Sequence, residues 1–291
     1  MTRADIFAKL GLGTVQFGQA YGISNARGRV PPADVAAILL RASEAGLRTL
    51  DTAAGYGEAE AVLGSTGALT APFRIVTKTI AVKNGLAAVV ARARQSVEIL
   101  RRKPVDLLLV HAAQDLIGPE GDALWAALHE LRDEGLFGGI GISAYVADDP
   151  VALARRFRPD AMQIPMSLLD QRLVRSGALA ALKDLDVEIH ARSIFLQGLL
   201  FVPDGKLPPK LRAAAPRLDA VHQRIAEAGS TPLEAALAYA LNRPEIDVAL
   251  AGVTTPEEFE EILQAAARPA PVMDWAACAL DDAAVLTPSL W

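Results

Sequence analysis

Short apolar runs, rich in leucine and β-branched residues, recur along the whole chain and alternate with longer amphipathic stretches. Runs of this length and composition predict buried strands. We expect strands at Lys9–Gly13, Leu47–Asp51, Arg74–Lys78, Asp106–His111, Gly139–Ile142, Ala161–Ile164, Val187–Arg192 and Asp247–Ala251. Strands that alternate with helices are typical of parallel β–α units, and eight such units in 291 residues predict a (β/α)8 TIM barrel, an α/β fold, as a single domain over residues 1–291.

The stretches between the strands carry helix start and stop signals. Pro32 opens one stretch and Gly46 closes it, and Thr231 supplies a hydroxyl before the first-turn Pro232. The predicted helices are Pro32–Ala45, Glu58–Leu63, Leu86–Arg101, Asp122–Glu134, Pro150–Phe157, Gly177–Leu185, Thr231–Leu241 and Pro256–Ala266. The segment 198–217, with prolines at 203, 208, 209 and 216, predicts a long loop after the seventh strand, of the kind that often forms a lid.

A doubly wound parallel sheet is the alternative fold. Such sheets normally have a G-x-G-x-x-G turn after the first strand. Here Gly11 and Gly13 are present but the third glycine of that spacing is missing, which favours the barrel.

Composition limits the partners and the compartment. The net charge of −5 provides no basic excess to neutralise phosphates, so we expect no nucleic acid. No apolar run approaches the ~18 residues that a membrane span needs, and the first residues lack the apolar core of a signal peptide. The single cysteine, Cys278, can form no internal disulfide, which fits the reducing cytoplasm. We expect no metal site, and the oligomeric state stays open.

Four polar residues lie at or just after the predicted strand ends. Asp51, Lys78 and His111 end the second, third and fourth strands, and Tyr56 follows in a glycine-containing loop. The carboxyl ends of parallel strands meet on one face of a barrel, where catalytic residues lie. An ion pair of Lys78 with Asp51 could be purely structural, but the addition of Tyr56 and His111 favours a catalytic group.

The chemistry of these side chains is complementary. Tyrosine is a weak acid near neutral pH, and a nearby ammonium stabilises the phenolate that forms when its proton leaves. A carboxylate keeps that buried ammonium charged, and a neutral histidine can donate a hydrogen bond to a substrate oxygen. Such a group can protonate a carbonyl oxygen but provides no hydride, so a reduction would need a nicotinamide cofactor.

On these residues the sequence resembles the aldo-keto reductase superfamily, over essentially the whole chain. The shared motifs are Gly11-Leu12-Gly13-Thr14, Asp51-Thr52-Ala53-x-x-Tyr56-Gly57, Thr77-Lys78, Asp106-x-x-x-x-His111, Gly141-Ile142-Ser143, Met162-Gln163, Gln197-Gly198-Leu199-Leu200 and Gly252-x-x-Thr255-Pro256-Glu257. Asp51, Tyr56, Lys78 and His111 match the family's catalytic tetrad. The resemblance implies that Tyr56 is the general acid, assisted by Lys78 and Asp51, and that His111 orients the carbonyl.

The resemblance also implies a cofactor site. Ser143 and Gln163 match residues that hold the nicotinamide carboxamide. The remaining cofactor-binding candidates are Gly13, Thr14, Arg192, Ser193, Gly198, Leu199, Gly252, Thr254, Glu258 and Glu261. The family favours NADPH. However, residues 253–255 include no basic side chain to bind the 2′-phosphate, which weakens the case for NADPH over NADH.

The chain departs from the family pattern at three of these positions. Ala144 replaces a frequent asparagine, and Ile262 replaces another near the adenine. Arg192 replaces an aromatic residue that stacks on the nicotinamide. Its planar guanidinium could stack there instead or could bind an anionic substrate.

The sequence therefore predicts a cytoplasmic, NADPH-dependent oxidoreductase that interconverts a small aldehyde or ketone, which could be sugar-derived, with its alcohol. Tyr21 and Phe17 are candidates to line the substrate site. Two alternatives remain: a nicotinamide-binding regulatory subunit without turnover, and a barrel aldolase in which Lys78 forms a Schiff base.

Overall fold

The computed structural model describes residues 2–22, 25, 27–66, 72–202 and 206–291. Eight parallel strands close into a barrel in sequence order, each strand pairing with the next and β8 pairing with β1. The strands are β1 Leu10–Gly13, β2 Thr49–Asp51, β3 Arg74–Lys78, β4 Val105–Val110, β5 Phe137–Ser143, β6 Ala161–Pro165, β7 Glu188–Arg192 and β8 Val248–Gly252. The predicted (β/α)8 barrel is confirmed, and closure of the sheet excludes the doubly wound alternative.

Helices surround the barrel and cover its outer face. They are α1 Arg3–Lys9, α2 Val15–Gly18, α3 Pro32–Ala45, α4 Ala59–Ser65, α5 Leu86–Leu100, α6 Gln114–Ile117, α7 Gly121–Asp133, α8 Pro150–Phe157, α9 Arg172–Arg175, α10 Ala178–Lys183, α11 Ala215–Glu227, α12 Pro232–Leu241 and α13 Pro256–Ala266. Short 3-10 segments lie at Val82–Asn84, Val146–Asp148, Leu196–Phe201, Pro209–Ala214, Ala276–Cys278 and Pro288–Leu290. No helix in the described ranges is long and apolar enough to cross a membrane.

Local sequence signals explain where several helices begin and end. Pro32 opens α3, and Gly46 ends it in the left-handed conformation with φ of 87°. Thr231 caps α12 by accepting a hydrogen bond from the backbone N–H of Glu234. Helix α3 buries residues at helical spacing against the barrel, namely Val35, Ile38, Leu39 and Ala42.

The strands bury different residues on their two faces. A large apolar cluster fills the space between strands and helices. Inside the barrel a separate small cluster contains Val76, Leu107, Leu109 and Ala161. Because side chains alternate along a strand, Lys78 and Val76 of β3 share the inner face, with Lys78 nearer the carboxyl end.

Two segments differ from the sequence prediction. Helix α1 was not expected; it is started by a capping box between Thr2 and Asp5. The segment 198–217 is not one long loop, since it contains the 3-10 segment Pro209–Ala214 and the start of α11. Prolines in the first turn of a helix lose no intrahelical hydrogen bond, which is why this proline-rich segment can be helical. Pro203 lies outside the described residues.

Candidate active site

A cleft with a volume of about 780 Å³ opens at the carboxyl ends of the strands. This volume falls within the range of ligand sites in proteins. Fourteen of the predicted site residues line it: Gly13, Thr14, Asp51, Tyr56, His111, Ser143, Gln163, Arg192, Ser193, Gly198, Gly252, Thr254, Glu258 and Glu261. Lys78 lies immediately beneath it, bonded to Asp51 and Tyr56. Leu199 does not line the cleft, because its side chain is fully buried in the core.

Asp51 and Lys78 form a buried ion pair at the floor of the cleft. Lys78 Nζ lies 2.6 Å from Asp51 Oδ2, and the side chains are 1% and 5% exposed, respectively. Lys78 also donates to the carbonyl oxygen of Thr52 at 2.9 Å. Burial opposes the ammonium, but the charge of Asp51 and the contact with Tyr56 outweigh it and raise the pKa of Lys78 above its usual value. Lys78 is therefore a protonated hydrogen-bond donor.

Tyr56 is the third member of this chain of contacts. Lys78 Nζ donates to the phenol oxygen at 3.3 Å and lies 4.8 Å from the centre of the ring. The Tyr56 side chain is half-buried and faces the cleft, where a substrate can reach it. A carboxylate, an ammonium and a phenol are thus arranged in a line that ends at the cleft.

Close packing of two glycines positions the backbone of Tyr56. A Cβ atom on Gly18, the last residue of α2, would lie 1.8 Å from the carbonyl oxygen of Tyr56. Gly57 has a φ of 55°, and a Cβ there would lie 2.5 Å from the carbonyl oxygen of Gly18. Only residues without a Cβ allow the loop after β2 to approach α2 this closely.

His111 follows β4 directly and faces Tyr56. The two rings meet edge to face, with centroids 5.7 Å apart and an angle of 80° between their planes. Burial and the Lys78 ammonium lower the pKa of His111 from 6.5 to about 4. The imidazole is therefore neutral at physiological pH and can donate a hydrogen bond without carrying a charge.

Gln163 and Thr14 support Asp51. Gln163 Nε2 donates to Asp51 Oδ1 at 2.6 Å, so each carboxylate oxygen has its own donor. The backbone N–H and the hydroxyl of Thr14 both donate to the carbonyl oxygen of Asp51 at 2.9 Å. The amide oxygen of Gln163 and the hydroxyl of Ser143, at the end of β5, are left to face the cleft.

The loop after β7 has an unusual backbone. Ser193, Leu196, Gln197 and Gly198 all have positive φ values, of 59°, 47°, 53° and 89°. Consecutive residues in this region are costly for side chains other than glycine, and such strain occurs often at ligand sites. The loop lines one wall of the cleft with Ser193, Gln197 and Gly198.

The end of β8 and the start of α13 form another part of the wall, next to the loop after β7. Thr255 caps the helix, since its hydroxyl accepts from the backbone N–H of Glu258 at 3.0 Å. The Glu258 carboxylate in turn accepts from the N–H and the hydroxyl of Thr254, both at 2.7 Å. Gly252 passes close to Gln16, whose amide oxygen is buried without a hydrogen-bond partner in the described structure.

Arg192 extends from the end of β7 to the cleft. Its guanidinium carbon lies 4.2 Å above the centre of the Tyr145 ring. Nη2 donates to the carbonyl oxygen of Ala144 at 3.4 Å, and Nε is buried without a partner in the described structure.

Several residues that line the cleft were not named as site candidates from the sequence. Tyr145, Gln16, Gln19 and Gln197 line the cleft, as does the predicted Tyr21, whereas Phe17 is buried in the core. Beneath the site, Glu60 is 3% exposed and accepts from Arg92 and from the Thr77 hydroxyl, each at 2.6 Å. A glutamate in the first turn of a helix normally faces solvent, so nothing in the sequence distinguished Glu60 from a surface residue. Within the described ranges, no group of three or more His, Cys, Asp or Glu side chains could hold a metal ion.

Comparison with known proteins adds sequence and structural relatives. The chain is 32% identical over 145 residues to an aldo-keto reductase from Mycolicibacterium smegmatis, covering 46% of this chain and 49% of that protein. It is 33% identical over 156 residues to an aldo-keto reductase from Mycolicibacterium vanbaalenii, covering 51% and 55%. The matched parts span about half the length of each relative.

A solved structure shares the fold over most of the chain. The holo form of an aldo-keto reductase from Bacillus halodurans superposes with a TM-score of 0.74 over 90% of this chain and 87% of that chain, at 21% identity. At this identity the likeness supports the fold alone. The model of the Aldo/keto reductase family matches residues 9–280. That match spans the barrel and all four residues at the floor of the cleft, and the chain therefore belongs to the Aldo/keto reductase family.

Proposed function

We propose that this protein is an oxidoreductase that interconverts a small aldehyde or ketone, sugar-derived or otherwise, with its alcohol. The observation that carries the proposal is the position of Lys78 Nζ, 2.6 Å from Asp51 and 3.3 Å from the phenol oxygen of Tyr56, beneath an open cleft. In this arrangement the phenol of Tyr56 presents its proton to a ligand in the cleft, and the buried ammonium of Lys78 lies behind it. The free, buried Cys278 fits a reducing compartment, and we propose that the enzyme works in the cytoplasm.

The cleft fits a nicotinamide dinucleotide. Its volume, the strained loop at 193–198 and the unpartnered amide oxygen of Gln16 are features of a site shaped for a large polar ligand. A bound nicotinamide would supply the hydride that the carbonyl carbon receives. Ser143 and Gln163 would hold its carboxamide, and the other cofactor-binding candidates that line the cleft would hold the rest of the dinucleotide; they are Gly13, Thr14, Ser193, Gly198, Gly252, Thr254, Glu258 and Glu261.

The choice of coenzyme depends on the wall formed by α13. The family resemblance favours NADPH, which we propose first, with NADH as the alternative. The charges on this wall support the alternative, because the carboxylates of Glu258 and Glu261 line the cleft and would repel a 2′-phosphate. A carboxylate there could instead accept hydrogen bonds from ribose hydroxyls.

The roles of the tetrad follow from its contacts. Tyr56 would donate its phenolic proton to the carbonyl oxygen as that oxygen gains charge. Lys78 would stabilise the resulting phenolate by its charge and hydrogen bond, and Asp51 keeps Lys78 protonated. Neutral His111 would donate a hydrogen bond to the same oxygen and orient the carbonyl. Solvent would then return the proton to Tyr56.

The two alternatives lead to different expectations. An aldolase needs a neutral lysine amine to attack a carbonyl, whereas the contacts of Lys78 keep it charged and buried. A regulatory subunit would bind the dinucleotide without turning over any carbonyl substrate, and nothing in the tetrad geometry favours this.

Substitution of Tyr56 by phenylalanine tests the proposal. We expect Tyr56→Phe to abolish measurable turnover of an aldehyde panel, a loss of at least about 100-fold, because the proton donor is removed. The dissociation constants of NADPH and NADH, measured in parallel by quenching of tryptophan fluorescence, should change less than threefold. Tyr239→Phe removes a phenol oxygen outside the cleft and is the matched control. Wild-type turnover in Tyr56→Phe would overturn the proton-donor role. If the wild-type protein binds neither NADPH nor NADH, the proposed nicotinamide-dependent reaction is wrong.

A further inference from the structure

We propose that the substrate of this enzyme carries an anionic group, a carboxylate or a phosphate, and that Arg192 binds it. This inference rests on the proposed function, since it concerns the carbonyl substrate of the same cleft. It assigns to Arg192 one of the two roles that its sequence position leaves open.

The Arg192 guanidinium lacks a counter-ion. Within the described part of the chain, no aspartate or glutamate oxygen lies within 4.0 Å of it, although such pairs are frequent elsewhere on this protein. Within the described residues its guanidinium makes one hydrogen bond, to the carbonyl oxygen of Ala144, and this bond is long at 3.4 Å. Nε is buried without a partner. A half-buried cation without a counter-ion is unfavourable, and an anion that enters the cleft would compensate its charge.

Arg192 also gives the catalytic end of the cleft its excess charge. Asp51 neutralises Lys78, and His111 is neutral, so Arg192 supplies one uncompensated positive charge. Its charge is felt at the reaction centre, because it adds to burial and Lys78 in lowering the pKa of His111. Glu258 and Glu261 of α13 also line the cleft, but neither carboxylate lies within 4.0 Å of the Arg192 guanidinium, and Glu258 accepts its hydrogen bonds from Thr254.

The guanidinium is oriented by an aromatic ring. Tyr145 covers one of its faces at 4.2 Å, which holds the plane of the group in place. The two Nη nitrogens at the end of an arginine lie side by side and match the two oxygens of a carboxylate or phosphate. A guanidinium oriented by an aromatic ring loses little freedom when it binds such a ligand.

Tyr21 is placed to add a second donor. Its phenol oxygen accepts a hydrogen bond from Gln197 Nε2 at 3.0 Å, which leaves its O–H free to donate to a ligand in the cleft. Burial raises the pKa of Tyr21, so the hydroxyl keeps its proton at neutral pH. Together the guanidinium of Arg192 and the phenol of Tyr21 form the recognition site for the anionic group.

The experiment compares two aldehydes that differ in charge at one position, 4-carboxybenzaldehyde and methyl 4-formylbenzoate. We expect the wild-type enzyme to favour the carboxylate in kcat/KM. Arg192→Gln should lower kcat/KM for the carboxylate by about 10- to 100-fold, mainly through KM, since hydrogen bonds to charged groups contribute that much. The methyl ester should change less than threefold. Arg192→Lys should restore part of the loss, and Arg155→Gln, on the exposed face of α8, controls for the loss of one positive charge.

Dinucleotide binding separates substrate recognition from cofactor recognition. If Arg192 pairs with the cofactor's pyrophosphate, Arg192→Gln will weaken NADH and NADPH binding at least tenfold and leave the aldehyde preference unchanged. That result would overturn the inference. Equal kcat/KM for both aldehydes in the wild-type enzyme would also overturn it.

Equilibrium binding tests the anion site even if no aldehyde is turned over. Calorimetric titration of the wild-type protein with benzoate or phenyl phosphate should show binding, whereas benzamide should not bind. Arg192→Gln should lose the anion binding. Equal binding of benzoate to both proteins, or no binding to either, would contradict the site independently of the proposed reaction.

Discussion

At the scale of single residues, the site is organised around Asp51. Its two carboxylate oxygens bind Lys78 and Gln163, and its carbonyl oxygen binds Thr14, so one residue connects the first, second, third and sixth strands. A buried carboxylate with a donor on each oxygen is held in a single orientation. The position of the Lys78 ammonium, and through it the environment of Tyr56, depends on this arrangement.

The lowered pKa of His111 predicts a specific pH dependence. Below about pH 6.5 an unfolded chain protonates this histidine, whereas the folded protein, with a pKa of about 4, does not. The free energy of unfolding should therefore decrease as the pH falls from 6.5 towards 4. Urea unfolding at pH 7.0 and pH 5.0 should show that wild-type protein loses about 2 kcal/mol more stability than His111→Gln over this interval.

The lowered pKa of His111 also predicts how kcat/KM depends on pH. Because His111 stays neutral, it should cause no loss of kcat/KM between pH 5 and pH 8. Titration of the histidine ring signals by NMR, with His111→Gln used for assignment, measures the pKa directly. A His111 pKa near 6.5 would contradict the buried, neutral imidazole described here.

At the scale of elements, the distance between α2 and the loop after β2 determines where Tyr56 lies. Gly18 and Gly57 pack their backbones together, and the N–H of Glu58 donates to the carbonyl oxygen of Gly18 at 3.4 Å. Arg92 of α5 donates hydrogen bonds to the carboxylate of Glu60 and to the carbonyl oxygen of Ala54, which lies in the same loop. The loop is thus held on both sides by residues that do not touch the cleft.

Substitution of Gly18 by alanine should displace Tyr56. Its Cβ would overlap the Tyr56 carbonyl oxygen, so the loop must move. A shift of about 1 Å at a catalytic group can cost on the order of 100-fold in rate, and we expect Gly18→Ala to lower kcat by that order with little change in dinucleotide affinity. Steady-state kinetics and fluorescence titration measure the two effects.

Gly118→Ala is the control for this experiment. Gly118 has an ordinary φ of −70°, and its Cβ would meet the nearest atom at 3.5 Å, a normal contact. We expect wild-type kinetics. If Gly18→Ala also shows wild-type kinetics, the close packing of α2 against the loop after β2 does not position Tyr56.

At the scale of the whole molecule, charged side chains close the end of the barrel opposite the cleft. Arg74, at the start of β3, donates to both carboxylate oxygens of Glu188, at the start of β7, at 2.7 and 3.0 Å. His190 contacts the same carboxylate at 2.9 Å. Two strands on different sides of the barrel are thus joined through its interior, and the apolar cluster above them separates this pair from the active site.

This pair predicts sensitivity to acid. Burial alone would raise the pKa of Glu188, but its hydrogen bonds with His190 and Arg74 outweigh burial and lower the pKa to about 2. A lowered pKa stabilises the folded state above pH 4.5, and this contribution is lost as the pH falls from 4.5 to 2.

Substitution of Glu188 by glutamine tests this contribution. Glu188→Gln should be less stable than wild type at pH 7, and its free energy of unfolding should change less than that of wild type between pH 4.5 and 2. Urea unfolding at several pH values measures both, with the exposed Glu130→Gln as control; equal pH dependence in all three proteins would contradict the role of Glu188.

The sequence alone predicted the barrel and the four residues that meet at the floor of the cleft. Apolar runs and helix caps are local signals, and in a closed parallel sheet every strand ends on the same face, which brings Asp51, Lys78 and His111 together. The arrangement of the site depended on contacts between distant residues. The bond from Gln163 to Asp51, the burial of Glu60, the stacking of Arg192 on Tyr145 and the approach of Gly18 to Tyr56 each join segments that no local pattern connects. Such contacts are set by how the strands and helices pack in three dimensions, and they determine which charged groups in and beneath the cleft are paired.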